Sequence, residues 1–393
     1  MKSPLRVALL MEITRGYGRG VCAGVAAYAR AHGHWAFELQ ERILHQTFPD
    51  WLKTWQGDGI IAWIENAPAA RAIARTGLPA VDLLGERSWL GIPLVHLDVD
   101  AVARLAVDYY LENGFRQFAF CGYPGLIYSD QRSQAFVRYL ATKGMRPSIF
   151  HAPSTKKRGG DILSREKMGA KEQGAIASWL KRLPGPLAVL ACNDVRGYQV
   201  LMACRDYGIL VPDEAAVMGM SNDEVLCELA DPPMSSVEQD MMRVGYRAAQ
   251  VLHQMMRGKA HPHFVERIPP KRIVERQSTD VVAVGDAATR SAIRFIRKQA
   301  GGSLTVKNVL RHAGLSRTAL ETRFKKAFDC TIKDEIQRVR VNRVKQLLDQ
   351  TDESLVAIAR QTGFLSNTHM HVVFKRATGR TPGNYRKSRR QDV

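Results

Sequence analysis

Two rhythms of apolar and polar positions divide this chain. As far as about residue 280, short apolar runs bounded by Gly, Pro, Asn or Asp alternate with stretches that are apolar at every third or fourth position. The runs predict strands at 5–11, 35–39, 57–63, 79–84 and 95–99, then at 118–121, 148–151, 187–191 and 216–220. The periodic stretches predict helices ending near Ala31, and at 103–112, 129–143, 175–183, 195–207 and 240–256. Gly16-Tyr17-Gly18-Arg19-Gly20, directly after the first strand, reads as a flexible loop, because its spacing is not that of a dinucleotide or phosphate loop. Residues 156–171 are polar and Lys/Arg-rich and read as a long loop. Strands alternating with helices, in two successive series, predict two parallel doubly wound lobes with a cleft at the strand ends.

Beyond residue 289 the helical period takes over, and it is written twice. Phe324-Lys325-Lys326-Ala327 returns fifty positions later as Phe374-Lys375-Arg376-Ala377. Ala313-Gly314-Leu315-Ser316 precedes the first and Gly363-Phe364-Leu365-Ser366 the second. A short apolar helix, a Gly turn, a Ser cap and a basic amphipathic helix make a helix-turn-helix. Leu320, Phe324, Ala327 and Phe328 form the buried face of the first, and Met370, Val373, Phe374 and Ala377 that of the second. Residues 332–348 read as one long helix between them. Residues 280–288 read as a linker, which gives a sensor at 1–279 and a DNA-binding domain at 289–393.

Charge sharpens this division. The net +19 of the 393 residues is concentrated at the end of the chain: residues 286–393 carry 23 Lys and Arg against 9 Asp and Glu, and the rest 34 against 29. A basic excess on a duplicated helix-turn-helix suits phosphate contact. The six cysteines form no Cys-x-x-Cys pair and no metal-ligand cluster, which points to free thiols, a reducing cytoplasm and no cofactor. No secretion signal or membrane-length apolar run is seen. No catalytic motif is evident, so the expectation is a protein without enzymatic activity; an enzyme with an appended DNA-binding domain is the alternative.

The duplicated stretch, ending in Gly379-Arg380-Thr381-Pro382-Gly383-Asn384-Tyr385-Arg386, resembles the AraC/XylS family of transcription regulators. Met370 stands where that family usually has an aromatic residue. The preceding 270 or so residues resemble the sugar-sensing domain of LacI-type regulators, itself similar to periplasmic sugar-binding proteins. The residues behind this resemblance are Asp58-Gly59-Ile60-Ile61, Arg132-x-x-Ala135-Phe136, Asn193-Asp194, Gly219-Met220-Ser221-Asn222-Asp223 and 232–240. The implied fold is a two-lobed α/β sensor followed by an all-α double helix-turn-helix domain. The expected partners are operator DNA, a small sugar, a second copy of the chain and RNA polymerase. LacI-type proteins carry their DNA-binding unit at the N-terminus; only four residues precede the first strand here. This domain order resembles that of xylose-responsive regulators, and the resemblance implies D-xylose as the leading effector, with another pentose or a hexose as the alternative.

The resemblance puts Arg132, Asp194 and Asn222 at the sugar. Tyr17, Arg19, Trp63 and Glu65 are added from their places at strand ends, where planar hydrogen-bonding groups and aromatic faces suit hydroxyls. Ser221 stands where LacI-type domains commonly have Asp, and Asp223 is the acceptor that compensates. For DNA, the outward-facing Thr318, Glu321, Thr322, Thr368 and His369 are the base-edge candidates, with Arg317 and Asn367 beside them. Lys325, Arg338, Lys375 and Arg386 are the phosphate candidates.

Overall fold

The computed structural model describes residues 3–41, 46–85, 89–151, 166, 169–259, 261–280, 286–299, 302, 304–328 and 330–391. The chain divides into two compact units: Met1–Leu111 with Arg116–Asp280, and Glu112–Phe115 with Val281–Val393.

The first unit contains two sheets. Strands β1 (Leu5–Met11), β2 (Trp35–Glu41), β3 (Gly59–Ala62), β4 (Ala80–Asp82) and β5 (Leu94–Leu97) begin one lobe. Strands β6 (Gln117–Cys121), β7 (Ser148–Ile149), β8 (Leu187–Ala191), β9 (Ala215–Met220) and β10 (Ser235–Glu238) build the other. Two strands then follow, β11 (Val265–Ile268) and β12 (Arg272–Val274), and they are shared out between the lobes. The first sheet runs β11-β5-β4-β3-β1-β2 and the second β12-β10-β9-β8-β6-β7. All pairings are parallel except β10 with β12. Central strands such as β3, β8 and β9 are buried along their whole length, which is why they read as unbroken apolar runs.

The helices of this unit are α1 (Gly16–His32), α2 (Ala67–Ala74), α3 (Val99–Glu112), α4 (Ile127–Thr142), α5 (Gln173–Lys181), α6 (Asp194–Asp206), α7 (Glu224–Leu229) and α8 (Met241–Met256). The sequence pattern puts the last helix with the second series, but α8 packs on β3, β4 and β5 of the first lobe, and β11 follows it there. Periodicity shows that a helix has an apolar face, not which sheet that face covers. The glycine stretch expected as a loop begins α1 instead. A Cβ on Gly18 would lie 1.8 Å from the Glu12 carbonyl oxygen, so glycine is required where the helix turns back over the end of β1. Further along, Gly24 meets the backbone of α8 and Gly245 that of α1; a Cβ would come within 2.0 Å of Met242 O and 1.9 Å of Val21 O respectively. The polar loop expected at 156–171 lies almost wholly outside the described residues.

The second unit is helical: α9 (Ala287–Gln299), α10 (Val306–Ala313), α11 (Arg317–Phe328), α12 (Ile332–Gln350), α13 (Leu355–Gln361), α14 (Asn367–Thr378) and α15 (Pro382–Gln391). Of the linker expected at 280–288, residues 281–285 lie outside the described residues. Asp286 closes the entry to α9, accepting from Thr289 N–H at 2.9 Å and from Arg323 at 2.6 Å. The duplicated caps form: Ser316 Oγ accepts from Ala319 N–H at 3.3 Å and Ser366 Oγ from His369 N–H at 3.1 Å. Gly314 and Gly363 take φ of 66° and 72°, where a side chain would be strained. Thr331 and Asp334 cap α12 reciprocally. This 19-residue helix spans about 28 Å. It gives Ile332 and Ile336 to the first core, around Leu320 and Phe324, and Val341, Val344, Leu347 and Leu348 to the second, around Met370 and Phe374. Ala377, expected on the buried face of α14, is exposed; Tyr385 of α15 covers Phe374 instead, with ring centroids 5.5 Å apart.

Candidate functional site

The strand ends of the two lobes enclose a cavity of about 200 Å³. That is below the roughly 300–1,000 Å³ of clefts for drug-sized ligands, and it suits a small molecule. Glu12, Arg15 and Tyr17 follow β1, Trp63 follows β3, and His96 lies on β5. The second lobe adds Tyr128 and Arg132 from α4, Asn193 and Asp194 after β8, Ser221, Asn222 and Asp223 after β9, and Glu166. The lining mixes aromatic faces with donors and acceptors of both signs, an arrangement that can bind a neutral, hydroxyl-rich molecule.

Each polar side chain is fixed at one corner. Arg132 is buried, donates to the Cys192 carbonyl oxygen, and sits 5.4 Å from the Tyr128 ring centroid. Among the described residues no carboxylate forms an ion pair with it, so its other N–H groups remain for an acceptor. Asp194 accepts from Ser236 Oγ at 2.6 Å and from Asp223 N–H at 2.7 Å; burial pushes its carboxyl up to about 7. Glu12 uses Oε1 for Arg15 N–H at 2.9 Å and for Thr14 Oγ, and burial raises its carboxyl above the usual range. His96 donates Nδ1–H to the Leu83 carbonyl at 2.7 Å, and burial holds it neutral, down at about 4. Beneath the cavity wall Asp82 accepts three backbone N–H groups, from Ile64, Leu84 and Gly85 at 2.9–3.0 Å, and ties the ends of β3 and β4 together. Ser221 and Asn222 both have positive φ, 108° and 51°. This costly geometry is held by Ser221 N–H to Val237 O, Asn222 N–H to Ser236 Oγ and Arg276 to Asn222 Oδ1, each at 3.0 Å.

Of the residues singled out from sequence, Tyr17, Trp63, Arg132, Asp194, Asn222 and Asp223 come together on this cavity, with Tyr17 and Trp63 rings 5.9 Å apart. Arg19 does not: it is exposed on α1 and folds back onto the carbonyls of Ile13 and Thr14. Glu65 lines a separate hollow between α2 and residues 46–53. Asp223 also caps α7. Sequence reasoning missed Glu12, Arg15, His96, Tyr128 and Glu166. Glu12 ends an apolar run and carried a visible signal; the others had none, because they meet the site only through the packing of separate elements.

On the second unit, Arg317, Thr318, Thr322 and Lys325 are exposed along α11, and Thr368 and Lys375 along α14, with Asn367 and His369 half-buried. Glu321 faces inward in part, and its Oε2 accepts from Ile332 N–H at 3.2 Å, closing the start of α12. Arg338 is paired with Glu335 one turn away at 2.7 Å rather than held out to solvent. Arg386 is half-buried. Leu365 in the second turn and Val372 on α14 are 94% and 63% exposed, apolar groups of the kind that meet thymine methyls. Among the described residues no group of three or more His, Cys, Asp or Glu side chains could hold a metal ion, and no helix is long and apolar enough to cross a membrane.

A two-lobed α/β domain around a cavity of aromatic and hydrogen-bonding side chains, carried with tandem helix-turn-helix units, defines a ligand-responsive DNA-binding transcription regulator. Residues 6–88 match the XylR N-terminal domain, 107–279 the periplasmic binding protein-like domain and 309–388 a helix-turn-helix domain. The xylose operon regulatory protein of Escherichia coli K12 is 30% identical over 389 residues, 97% of this chain and 96% of that protein. The Haemophilus influenzae protein of the same name is also 30% identical, over 97% of this chain and 98% of its own. A solved structure described as the xylose-binding transcription activator XylR has a TM-score of 0.61 at 29% identity, covering 98% of this chain and 99% of that one. The chain belongs to the xylose operon regulator family.

Proposed function

We propose that D-xylose binds in the interlobe cavity and controls how the two helix-turn-helix units occupy an operator. The observation that supports this most is the full-length likeness, in unbroken domain order, to proteins named for the xylose operon. The cavity's chemistry agrees: aromatic rings beside hydrogen-bond donors and acceptors of both signs suit a neutral polyol. Coupling requires that the sugar bind one lobe arrangement more tightly than another. In this reading the protein works in the cytoplasm as a homodimer without enzymatic activity and engages RNA polymerase from the operator. Calorimetry with D-xylose and its epimers tests it. Arg132→Ala and Asp194→Ala each remove charge-assisted hydrogen bonds worth about 1.5–3 kcal/mol, a tenfold to hundredfold loss of affinity. Absence of heat with the wild-type protein overturns the choice of sugar; equal binding by both variants overturns the choice of cavity.

Ser221 favours a second reading, in which another pentose or a hexose is the effector. A carboxylate common at this position in LacI-type sensors is missing, and Ser221 Oγ is turned to Gln239 Oε1 at 3.2 Å. The same calorimetry, run across monosaccharides, separates the two.

A further inference from the structure

Arg15 and Glu166 come from opposite lobes. Arg15 stands at the start of α1 in the first lobe, while Glu166 precedes α5 in the second, and the two form an ion pair beside the cavity that both line. Glu166 is 5% exposed. Its second oxygen accepts from Asn193 Nδ2 at 3.2 Å, and its own carbonyl accepts from Gln199 Nε2 at 2.8 Å. Gln199 is in turn held by Arg196 Nη1 at 2.9 Å and by Tyr123 OH at 3.0 Å. Arg196 is fully buried, paired with Glu172 at 2.6 Å and 4.6 Å from the Tyr123 ring centroid. Gly169 presses against the same group: a Cβ there would lie 2.5 Å from Gln199 Oε1. So much buried polar structure behind one carboxylate fixes where that carboxylate can be. Arg15 itself is incompletely used. Only Nη2 reaches Glu166, and Nε is buried without a partner.

We propose that Glu166 is a positioning residue for effector binding: it reaches across the cleft to orient Arg15, so that the first lobe's cationic donor is set for the ligand only when the lobes are closed. This rests on the reading of the cavity as the effector site. Arg15 then mirrors Arg132 across the cavity, each guanidinium held at one corner with its other N–H groups left for the ligand's oxygens. Arg196 and Gln199 act one step further back, by holding the Glu166 backbone.

Two measurements on the full chain test it. The first is stopped-flow and calorimetric binding of D-xylose. Glu166→Gln is expected to lose about tenfold in affinity, mainly through faster dissociation, with little change in melting temperature. The exchanged pair Arg15→Glu with Glu166→Arg, which remakes the ion pair but removes the donor, is expected to bind as weakly as Arg15→Ala. The second is energy transfer between dyes on Arg71 of α2 and Lys181 of α5, placed through unnatural residues, in sugar-free protein. Glu166→Gln is expected to widen the interlobe distance, and the exchanged pair to restore it. Unchanged affinity in Glu166→Gln overturns the proposal, as does an unchanged interlobe distance. If the wild type binds no D-xylose, the choice of sugar fails and the distance measurement alone decides the role of Glu166.

Discussion

Asp194 Oδ2 accepts the backbone N–H of Asp223 at 2.7 Å, across the ends of two neighbouring parallel strands. Through this bond the N-terminus of α6 holds the strained Ser221–Asn222 turn in place. Both Asp194 oxygens are already engaged by Asp223 and Ser236, so its part in ligand binding is inseparable from its part in shaping the loop. Asp194→Ala leaves two donors, the buried Ser236 Oγ–H and the half-buried Asp223 N–H, without acceptors and is expected to destabilise the sensor by about 2–6 kcal/mol, each orphaned group costing about 1–3. Arg132→Ala leaves the Cys192 carbonyl the smaller deficit. Denaturant unfolding of both variants beside the calorimetry separates lost shape from lost contact.

His96 gives a pH dependence of definite sign. Burial depresses its folded pKa from 6.5 to about 4. The unfolded chain therefore takes up a proton that the folded chain refuses, and stability from this group is present above pH 6.5 and lost as pH falls through 4. The stability difference between wild type and His96→Gln is expected to shrink across that window, with a slope approaching about 1.4 kcal/mol per pH unit. Unfolding series for both proteins at pH 7, 6, 5 and 4 measure it. A pH-independent difference shows that His96 titrates in the fold as it does in the unfolded chain.

The helix crossing of α1 and α8 depends on two glycines. Gly245→Ala puts a methyl group against Val21 O and forces the helices apart. A loss of about 1–3 kcal/mol is expected from such overpacking, larger than for Gly258→Ala, where nothing lies within 4 Å and the cost is the positive φ alone. Thermal melts of the two variants give the comparison.

The DNA contacts proposed for α11 and α14 divide by chemistry. Lys325→Ala is expected to weaken binding to all duplex sequences alike and to reduce the slope of log affinity against log salt by about 0.9. Thr318→Ala is expected to relax preference at one base position with the slope unchanged. Glu321→Ala removes the acceptor at Ile332 N–H and is expected to cost about 1 kcal/mol of stability in the second unit. Salt titrations against a selected site and a scrambled duplex distinguish these outcomes.

Much of this molecule was legible in the amino-acid order because local rules wrote it. The Ser316 and Ser366 caps, the Gly314 and Gly363 turns and the repeated Phe324 and Phe374 cores need only neighbours within a few turns. The buried parallel strands announce themselves as unbroken apolar runs, and the resemblance to LacI-type sensors brought Arg132, Asp194 and Asn222 to the cleft. Tertiary structure alone decided that α8 returns to the first lobe, that Gly18 packs over Glu12 inside a helix, and that Arg15 meets Glu166 across 151 positions of sequence. It also decided that Arg338 turns to Glu335 and Glu321 to Ile332, when their helical positions would equally have let them face DNA. Periodicity fixes the face of an element. Which partner that face finds depends on how separate elements pack, and that information is spread over the whole chain.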